Sequence, residues 1–202
     1  MSTISSSTTS TTAYKVTADT TGTLVLQTGA TPTTAMTIDA SQNITTVNKF
    51  AKESMPIGSV LQVVSTTKTN TFSTASTTFV DLTGLSVSIT PTSASNKVMI
   101  FVTYSYSSSL TTAIAVFNLL RGSTNISQPA TTPSFNGTAI NYAATSDAVI
   151  PGSINFLDSP ATTSAITYKI QCRISSSTLY VNSRGAGDSA FTSTITAMEI
   201  AA

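Results

Sequence analysis

Few side chains in this sequence could carry catalysis. The chain contains no His and a single cysteine, Cys172. Without an imidazole, the Ser-His-Asp and Cys-His modes of nucleophile activation are excluded, and so are most zinc sites. One cysteine also cannot form an internal disulfide. Cys172 alternates with Ile166, Tyr168 and Ile170 in the run ITYKIQCRI, so we predict a buried structural thiol and not a nucleophile.

The eight carboxylates show no catalytic spacing either. Glycoside hydrolysis needs two carboxylates facing each other across a cleft, and a calcium loop needs several oxygen ligands close together. We therefore predict no enzyme activity, no metal and no cofactor, although a symmetric site with one residue from each of three chains is left open. Asp158 and Asp188 adjoin Ser or Gly, and Asp39 lies two residues before Ser41, which predicts that all three cap backbone turns.

Aromatic, amide and guanidinium groups near predicted loops are better suited to binding. Rings stack on a ligand while amides and guanidinium groups form hydrogen bonds, as carbohydrate or protein surface recognition requires. The six candidates for surface recognition are Tyr104, Tyr106, Phe135, Asn136, Tyr142 and Arg184. The competing interpretation is that Tyr104 and Phe135 only cap the hydrophobic core.

The composition excludes other classes of function. Of 202 residues, 73 are Ser or Thr and only 8% are charged, with a net charge of +1. No basic stripe is present, so nucleic-acid binding by phosphate neutralisation is not expected. Because 40% of residues are hydrophobic, the chain is predicted to fold around a core. A signal peptide and a membrane-spanning apolar stretch are both lacking, so we expect a soluble protein without membrane insertion.

The first part of the chain divides into an arm and a set of short strands. Residues 1–12 are low-complexity hydroxyl sequence, predicted to be a flexible arm. Residues 13–55 hold alternating segments and end in a charged linker or helical turn at 48–55, which Pro56 and Gly58 close. Such short strands are marginal alone, so we expect identical chains around a threefold axis to support them. The predicted strands are 14–19, 23–27, 35–39 and 43–47.

Residues 56–202 read as one β domain. Alternating runs rich in β-branched and aromatic residues are separated by turn signals, and helical spacing is nowhere sustained. This pattern predicts an all-β fold, most simply a jelly-roll β-sandwich. The predicted strands are 59–67, 72–82, 85–90, 97–107, 113–121, 138–144, 153–157, 165–174, 178–182 and 193–201.

Two of these runs, 98–102 (VMIFV) and 113–120 (AIAVFNLL), are apolar on both faces. A sandwich strand should bury only one face, so the second face needs cover. Burial in a subunit interface is one explanation, and a central strand covered by a loop is the other.

Several separated segments resemble structural proteins of tailed bacteriophages. The run GTLVLQTGATPTTAMTIDASQN at 22–43 is similar to a module that leads into a C-terminal domain in such proteins. The segments beginning GSVLQVVSTTKTN, FNLLRGST and INFLDSPATTSAITYKIQCRI, together with STITAMEIAA at the C-terminus, resemble the distal domain of phage tail fibres and related virion appendages. The resemblance spans residues 22–202.

The resemblance implies a homotrimer on the virion surface, assembled in the host cytoplasm. Its N-terminal part would dock on other virion proteins of the baseplate, tail or capsid. Its C-terminal β domain would face outward toward a host polysaccharide or protein. Because few residues precede Pro56, a long shaft is absent from this sequence, so a short fibre, a fibre segment and a capsid decoration protein all stay open.

Overall fold

The structure, a computed structural model, describes residues 22–28, 33–46, 55–130, 134–142, 146–185 and 187–202. The chain divides into two compact units, Met1–Ala51 and Lys52–Ala202. The predicted arm at 1–12, the predicted strand at 14–19 and all but Met55 of the predicted linker at 48–55 lie outside the described residues.

The described part of the first unit is a three-stranded antiparallel sheet in the order β1-β2-β3. A turn at Asp39 joins β2 to β3, and the Asp39 carboxylate accepts hydrogen bonds from the backbone N–H groups of Ser41 and Asn43, both at 2.9 Å. The Asp39 side chain therefore caps its own turn, as predicted. The strands are β1 (Leu24–Thr28), β2 (Thr33–Ile38) and β3 (Ile44–Thr46).

The second unit consists of antiparallel strands joined by turns and loops. Its strands are β4 (Val60–Lys68), β5 (Phe72–Thr74), β6 (Val80–Ile89), β7 (Lys97–Ser108), β8 (Ile114–Arg121), β9 (Thr124–Asn125), β10 (Ala139–Tyr142), β11 (Ile150–Asp158), β12 (Ile166–Ile174), β13 (Leu179–Val181) and β14 (Ser193–Ile200).

Two sheets enclose the core of the second unit. One has the order β4-β14-β7-β11, with β5 and β13 continuing beside the second half of β7, and the other has the order β6-β12-β8-β10. Counting β4–β5, β9–β10 and β13–β14 each as one interrupted strand gives eight strands in two four-stranded sheets, the jelly-roll arrangement. The all-β sandwich prediction is confirmed. Within the described ranges there is no helix long and apolar enough to span a membrane.

One predicted strand boundary was wrong. The run 72–82 forms the short β5 and the start of β6, because Ser76 turns the chain between them: its hydroxyl donates to the carbonyl of Thr78 at 2.6 Å. Conversely, β6 continues through Gly84, whose positive φ of 84° does not end the strand. Local hydrogen bonding by a serine side chain thus outweighed the β propensity of its neighbours.

The core takes side chains from both sheets and contains Cys172, which is fully buried. Burial raises the pKa of the Cys172 thiol to about 12, so the thiol is protonated at neutral pH and the predicted structural role fits. Strand β8 is buried on both faces. A loop of the same chain covers part of its second face, since Gly137 lies against Val116 and Asn118. For β8, loop cover within one chain is the alternative that the structure supports.

Candidate functional site

A cleft of about 540 Å³ opens beside β5 and β13. Tyr180 of β13 supplies a half-buried ring, and the loop after β13 supplies Arg184 and Asp188. Phe72 of β5 borders the cleft, but its side chain packs against the core. Hydroxyl groups complete the wall. The remaining lining residues are Thr71, Ser73, Ser183, Gly185, Gly187, Ser189 and Ala190.

Asn182 holds the base of the cleft loop. It is fully buried with a left-handed φ of 61°, a conformation that asparagine tolerates better than most residues. Its side-chain amide donates to the carbonyls of Lys68 at 2.9 Å and Asn70 at 3.2 Å, and its carbonyl oxygen accepts from the Ser193 hydroxyl at 2.5 Å. These three hydrogen bonds fix the position of Asn182, the residue at which the cleft loop begins.

The charged groups of the cleft balance each other. Arg184 Nε lies 3.5 Å from Asp188 Oδ1, and the two side chains are 42% and 54% exposed. The Ser189 hydroxyl donates to Asp188 Oδ1 at 2.8 Å. An exposed pair of this kind adds little to stability, so it is free to offer one donor group and one acceptor group to a ligand without a net charge.

Of the six predicted recognition residues, Tyr104 and Tyr106 lie in the core. Tyr104 packs on Phe117 with ring centroids 4.4 Å apart, and Tyr106 meets the same ring at 5.5 Å. Burial raises the pKa of Tyr106 to about 12. These two tyrosines therefore present no surface to a partner, and for Tyr104 the core-capping alternative is the observed one. The reason is that the inward face of β7 extends to the end of the strand.

The remaining candidates fall into separate clusters. Phe135 and Phe79 contact the Arg173 guanidinium, at 5.6 Å and 5.0 Å from the ring centroids. Arg173 also donates to the carbonyl of Ser134 at 2.7 Å, which ties this loop to β12. The half-buried Asn136 follows in the same loop, and Tyr142 pairs with Ile114 at the end of β10. Arg184 alone of the six lines the cleft, and recognition by Phe135, Asn136 and Tyr142 stays a prediction.

Two predicted turn carboxylates have other roles. Asp158 is buried and accepts hydrogen bonds from Arg121 at 2.9 Å and from the Tyr168 hydroxyl at 2.7 Å, so it joins three strands and is not a local turn cap. Asp188 faces Arg184 across the cleft loop. Within the described residues, no group of three or more Cys, Asp or Glu side chains is placed to hold a metal ion.

Phe72, Tyr180 and Asn182 were not predicted as site residues from the sequence. The two aromatic residues stood within predicted strands, where alternation does not tell a core ring from one that lines a cleft. A signal did exist for Asn182, because an Asn directly before a Gly-rich loop is typical of a left-handed turn residue.

No family profile and no curated protein sequence matches the chain. Among solved structures, similar chains come from infectious bursal disease virus particles. The structure of the Gt strain matches with 14% identity and a TM-score of 0.40, covering 70% of this chain and 38% of that one. The VP2 subviral particle matches with 15% identity and a TM-score of 0.40, again covering 70% and 38%.

The chain thus spans well under half the length of these viral proteins. TM-scores this low add nothing to the assignment of fold or role, which rests on the strands and contacts of the chain itself.

Proposed function

We propose that this chain is a non-enzymatic structural protein of a tailed-bacteriophage virion, a trimeric tail fibre or short appendage. Its N-terminal region docks on other virion proteins, and its C-terminal sandwich faces the host surface. The ordered motifs at 22–43 and through the second unit support this proposal.

The observation that carries host attachment is the charge-balanced cleft. The Tyr180 ring lies against Gly185, beside the Arg184–Asp188 pair and a wall of hydroxyl groups. Aromatic faces stack on the C–H faces of sugar rings, while a guanidinium and a carboxylate bind neighbouring hydroxyls. Because the cleft carries no net charge, a neutral stretch of surface polysaccharide fits it better than an anionic one.

The contacts of the carboxylates support a role without catalysis. Asp81 accepts from Lys169 and Gln171, both at 2.7 Å, and Asp158 is held by Arg121 and Tyr168. A general acid and a nucleophile need carboxylates that face a substrate. Release of sugar from host polysaccharide by the purified protein would contradict this part of the proposal.

The first unit supports assembly as a homotrimer. Its described sheet has three short strands, and Val25, Leu26 and Ile44 are exposed. A sheet this small does not stabilise itself in water. Equivalent sheets of two further chains would cover these side chains and form a compact docking end.

A capsid decoration protein is the second candidate. The sheet of β4, β14, β7 and β11 presents an outer surface with a single charged residue, Lys97. A surface of this kind could pack against neighbouring head proteins without any receptor. Location on the virion distinguishes the two candidates.

The first test is location combined with adsorption. We expect antibody-labelled density at the tail in cryo-electron microscopy of the virion, and we expect the purified protein to block adsorption of phage to host cells. Asp188→Asn and Arg184→Ala should each weaken this block at least about tenfold, because a charged hydrogen bond contributes roughly 1.5–3 kcal/mol.

Asp81→Asn is the matched control, because it removes one partner of an exposed ion pair, Lys169–Asp81, outside the cleft. The control should block adsorption like the wild type. Density on the head would overturn the fibre proposal in favour of decoration, and equal loss in the cleft variants and the control would remove the cleft from host attachment.

A further inference from the structure

A second depression lies on the outer face of the sheet that contains β7 and β11. It has a volume of about 440 Å³, and the hydroxyl residues of its lining are Thr103, Ser105, Ser153 and Thr192. Thr103 pairs directly with Ser153, and both point away from the core, because Ile154, the next residue of β11, is a core residue. We call this depression the hydroxyl hollow.

The cleft opens on the same face of this sheet. Tyr180, which lines the cleft, pairs directly with Ser107, and Ser107 lies two residues beyond Ser105 on the outward side of β7. Directly paired residues project on the same side of a sheet. The Tyr180 ring is therefore level with a residue about 7 Å along β7 from Ser105, so the cleft and the hydroxyl hollow are neighbours.

The loop after β13 lies between the two depressions. Ser107 is on the outward side of β7 but is fully buried, because this loop crosses it: the Ser107 hydroxyl donates to the carbonyl of Ser183 at 3.0 Å. Further along the loop, Ala190 lines the cleft and Thr192 lines the hydroxyl hollow. A linear ligand that leaves the cleft past Ala190 therefore reaches the hollow within two residues of the loop.

Backbone contacts hold this loop at both of its ends. Ser183 and Ala190 form a β bridge, and the N–H of Phe191 donates to the carbonyl of Asn182 at 3.0 Å. Both depressions are thus formed before a ligand binds, so little binding free energy is lost in ordering the loop.

The hydroxyl hollow offers hydrogen-bonding groups without charge. The Thr103 hydroxyl is bonded to that of Thr194 at 2.8 Å, whereas those of Ser105, Ser153 and Thr192 have no partner among the described residues. Each of these three hydroxyls can donate and accept, as the hydroxyls of a sugar do. No charged residue is part of the described lining, so the hollow suits a neutral sugar better than a charged one.

We propose that the hydroxyl hollow is a second subsite for the ligand of the cleft, and that this ligand is an extended chain of neutral sugars that passes from the cleft over Ala190 to Thr192. This inference rests on the proposed host attachment through the cleft and deepens it, because it makes the ligand several consecutive units of a polysaccharide and not a single terminal sugar. Units bound in the cleft bring the next units to the hollow at a high effective concentration, so weak hydrogen bonds there add to the affinity.

The test compares short and long fragments of one polysaccharide. Polysaccharide extracted from the surface of host cells is cut to disaccharides and octasaccharides, and the binding of each to the full chain is measured by calorimetry. We expect the octasaccharide to bind about tenfold more tightly than the disaccharide, the effect of two further hydrogen bonds between neutral groups. Arg184→Ala should weaken the binding of both fragments, because Arg184 lines the cleft.

The variant that tests the hollow combines Ser153→Ala with Thr192→Val. It removes two of the free hydroxyls at exposed positions and keeps the shape of the surface. The octasaccharide should bind this variant about tenfold more weakly than the wild type, and the disaccharide should bind both equally. The matched control combines Ser88→Ala with Thr167→Val, the same two changes at exposed, paired positions of the other sheet, and it should bind both fragments like the wild type.

The outcomes separate this inference from the proposed function. If the wild type binds both fragments equally, or if the hollow variant keeps the full affinity for the octasaccharide, the second subsite is overturned while the cleft stands on the effect of Arg184→Ala. If neither fragment binds the wild type, both proposals are overturned. An equal loss of octasaccharide affinity in the control and the hollow variant would show a non-specific effect and reject the hollow.

Discussion

At the scale of single residues, Glu199 concentrates more polar interactions than any other described carboxylate. It is fully buried in β14, where it accepts hydrogen bonds from Gln62 Nε2 at 2.6 Å and from Asn96 Nδ2 at 2.7 Å. Thr92 donates to it twice, from its backbone N–H at 2.6 Å and its hydroxyl at 2.7 Å. The carboxylate thereby joins the turn after β6 to the C-terminal strand.

Glu199→Gln should destabilise the second unit by about 2–3 kcal/mol, because the amide replaces a charged acceptor and brings its own N–H₂ toward donors. Burial alone would raise the pKa of Glu199, but the hydrogen bonds from Asn96, Thr92 and Gln62 outweigh it and lower that pKa below the usual 4.5. The stabilisation is thus present above pH 4.5 and is lost as the pH falls through the lowered value. Urea unfolding of both proteins at a series of pH values from neutral to acidic measures this stabilisation.

The difference in free energy of unfolding between the wild type and Glu199→Gln should therefore become smaller below about pH 4.5. Asp188→Asn is a suitable control, because an exposed carboxylate should contribute well under 1 kcal/mol. If this difference in free energy stays constant down to pH 3, the charge of Glu199 does not stabilise the fold.

At the scale of elements, the contact between β11 and β7 depends on the absence of a side chain at Gly152. Gly152 pairs with Tyr104, and a Cβ at this position would lie 2.3 Å from Tyr104 Cζ. Tyr104 cannot move aside freely, since its ring is buried against Phe117. The Tyr104 ring occupies the space that a side chain at position 152 would need, so β11 can pair with β7 here only with a glycine.

Gly152→Ala should accordingly destabilise the second unit by about 1–3 kcal/mol, the usual range for inserting a methyl group into a packed core. Ser153→Ala provides the comparison, because Ser153 is the next residue of the same strand and its side chain faces solvent. Thermal unfolding of both variants measures the difference. Equal midpoints would contradict the packing of Tyr104 over Gly152.

At the scale of the whole molecule, hydroxyl groups take the place that charges hold on most protein surfaces. The 73 Ser and Thr residues alternate with apolar residues along the strands, where Thr is a good β former. Ion pairs between described residues are few: Arg121–Asp158, Lys169–Asp81 and Arg184–Asp188. Salt screens charges, so it has little to act on here.

The association constant of the full chain should therefore vary by less than about threefold between low and moderate sodium chloride, because the chain offers few charged groups for salt to screen. Sedimentation at a fixed protein concentration checks this expectation. Dissociation on raising the salt would indicate an interface held by ion pairs and would contradict this expectation.

The sequence alone determined the fold class. Alternation with period two and regular turn signals require strands with one buried face, and this requirement is local. For the same reason the inward position of Cys172 and the backbone-capping role of Asp39 were predictable. Asp39 contacts residues two and four positions away, within reach of sequence reasoning.

Tertiary structure decided everything that depends on which strands become neighbours. The cleft forms because β5 and β13 pair across 105 or more residues of sequence, and the strands β4, β14, β7 and β11 become neighbours only in the folded chain. Period-two patterns state which side of a strand a residue occupies, but they do not state which strand lies beside it. Asp158 could therefore be taken for a turn cap, although it lies beside Arg121 and Tyr168 in the folded chain.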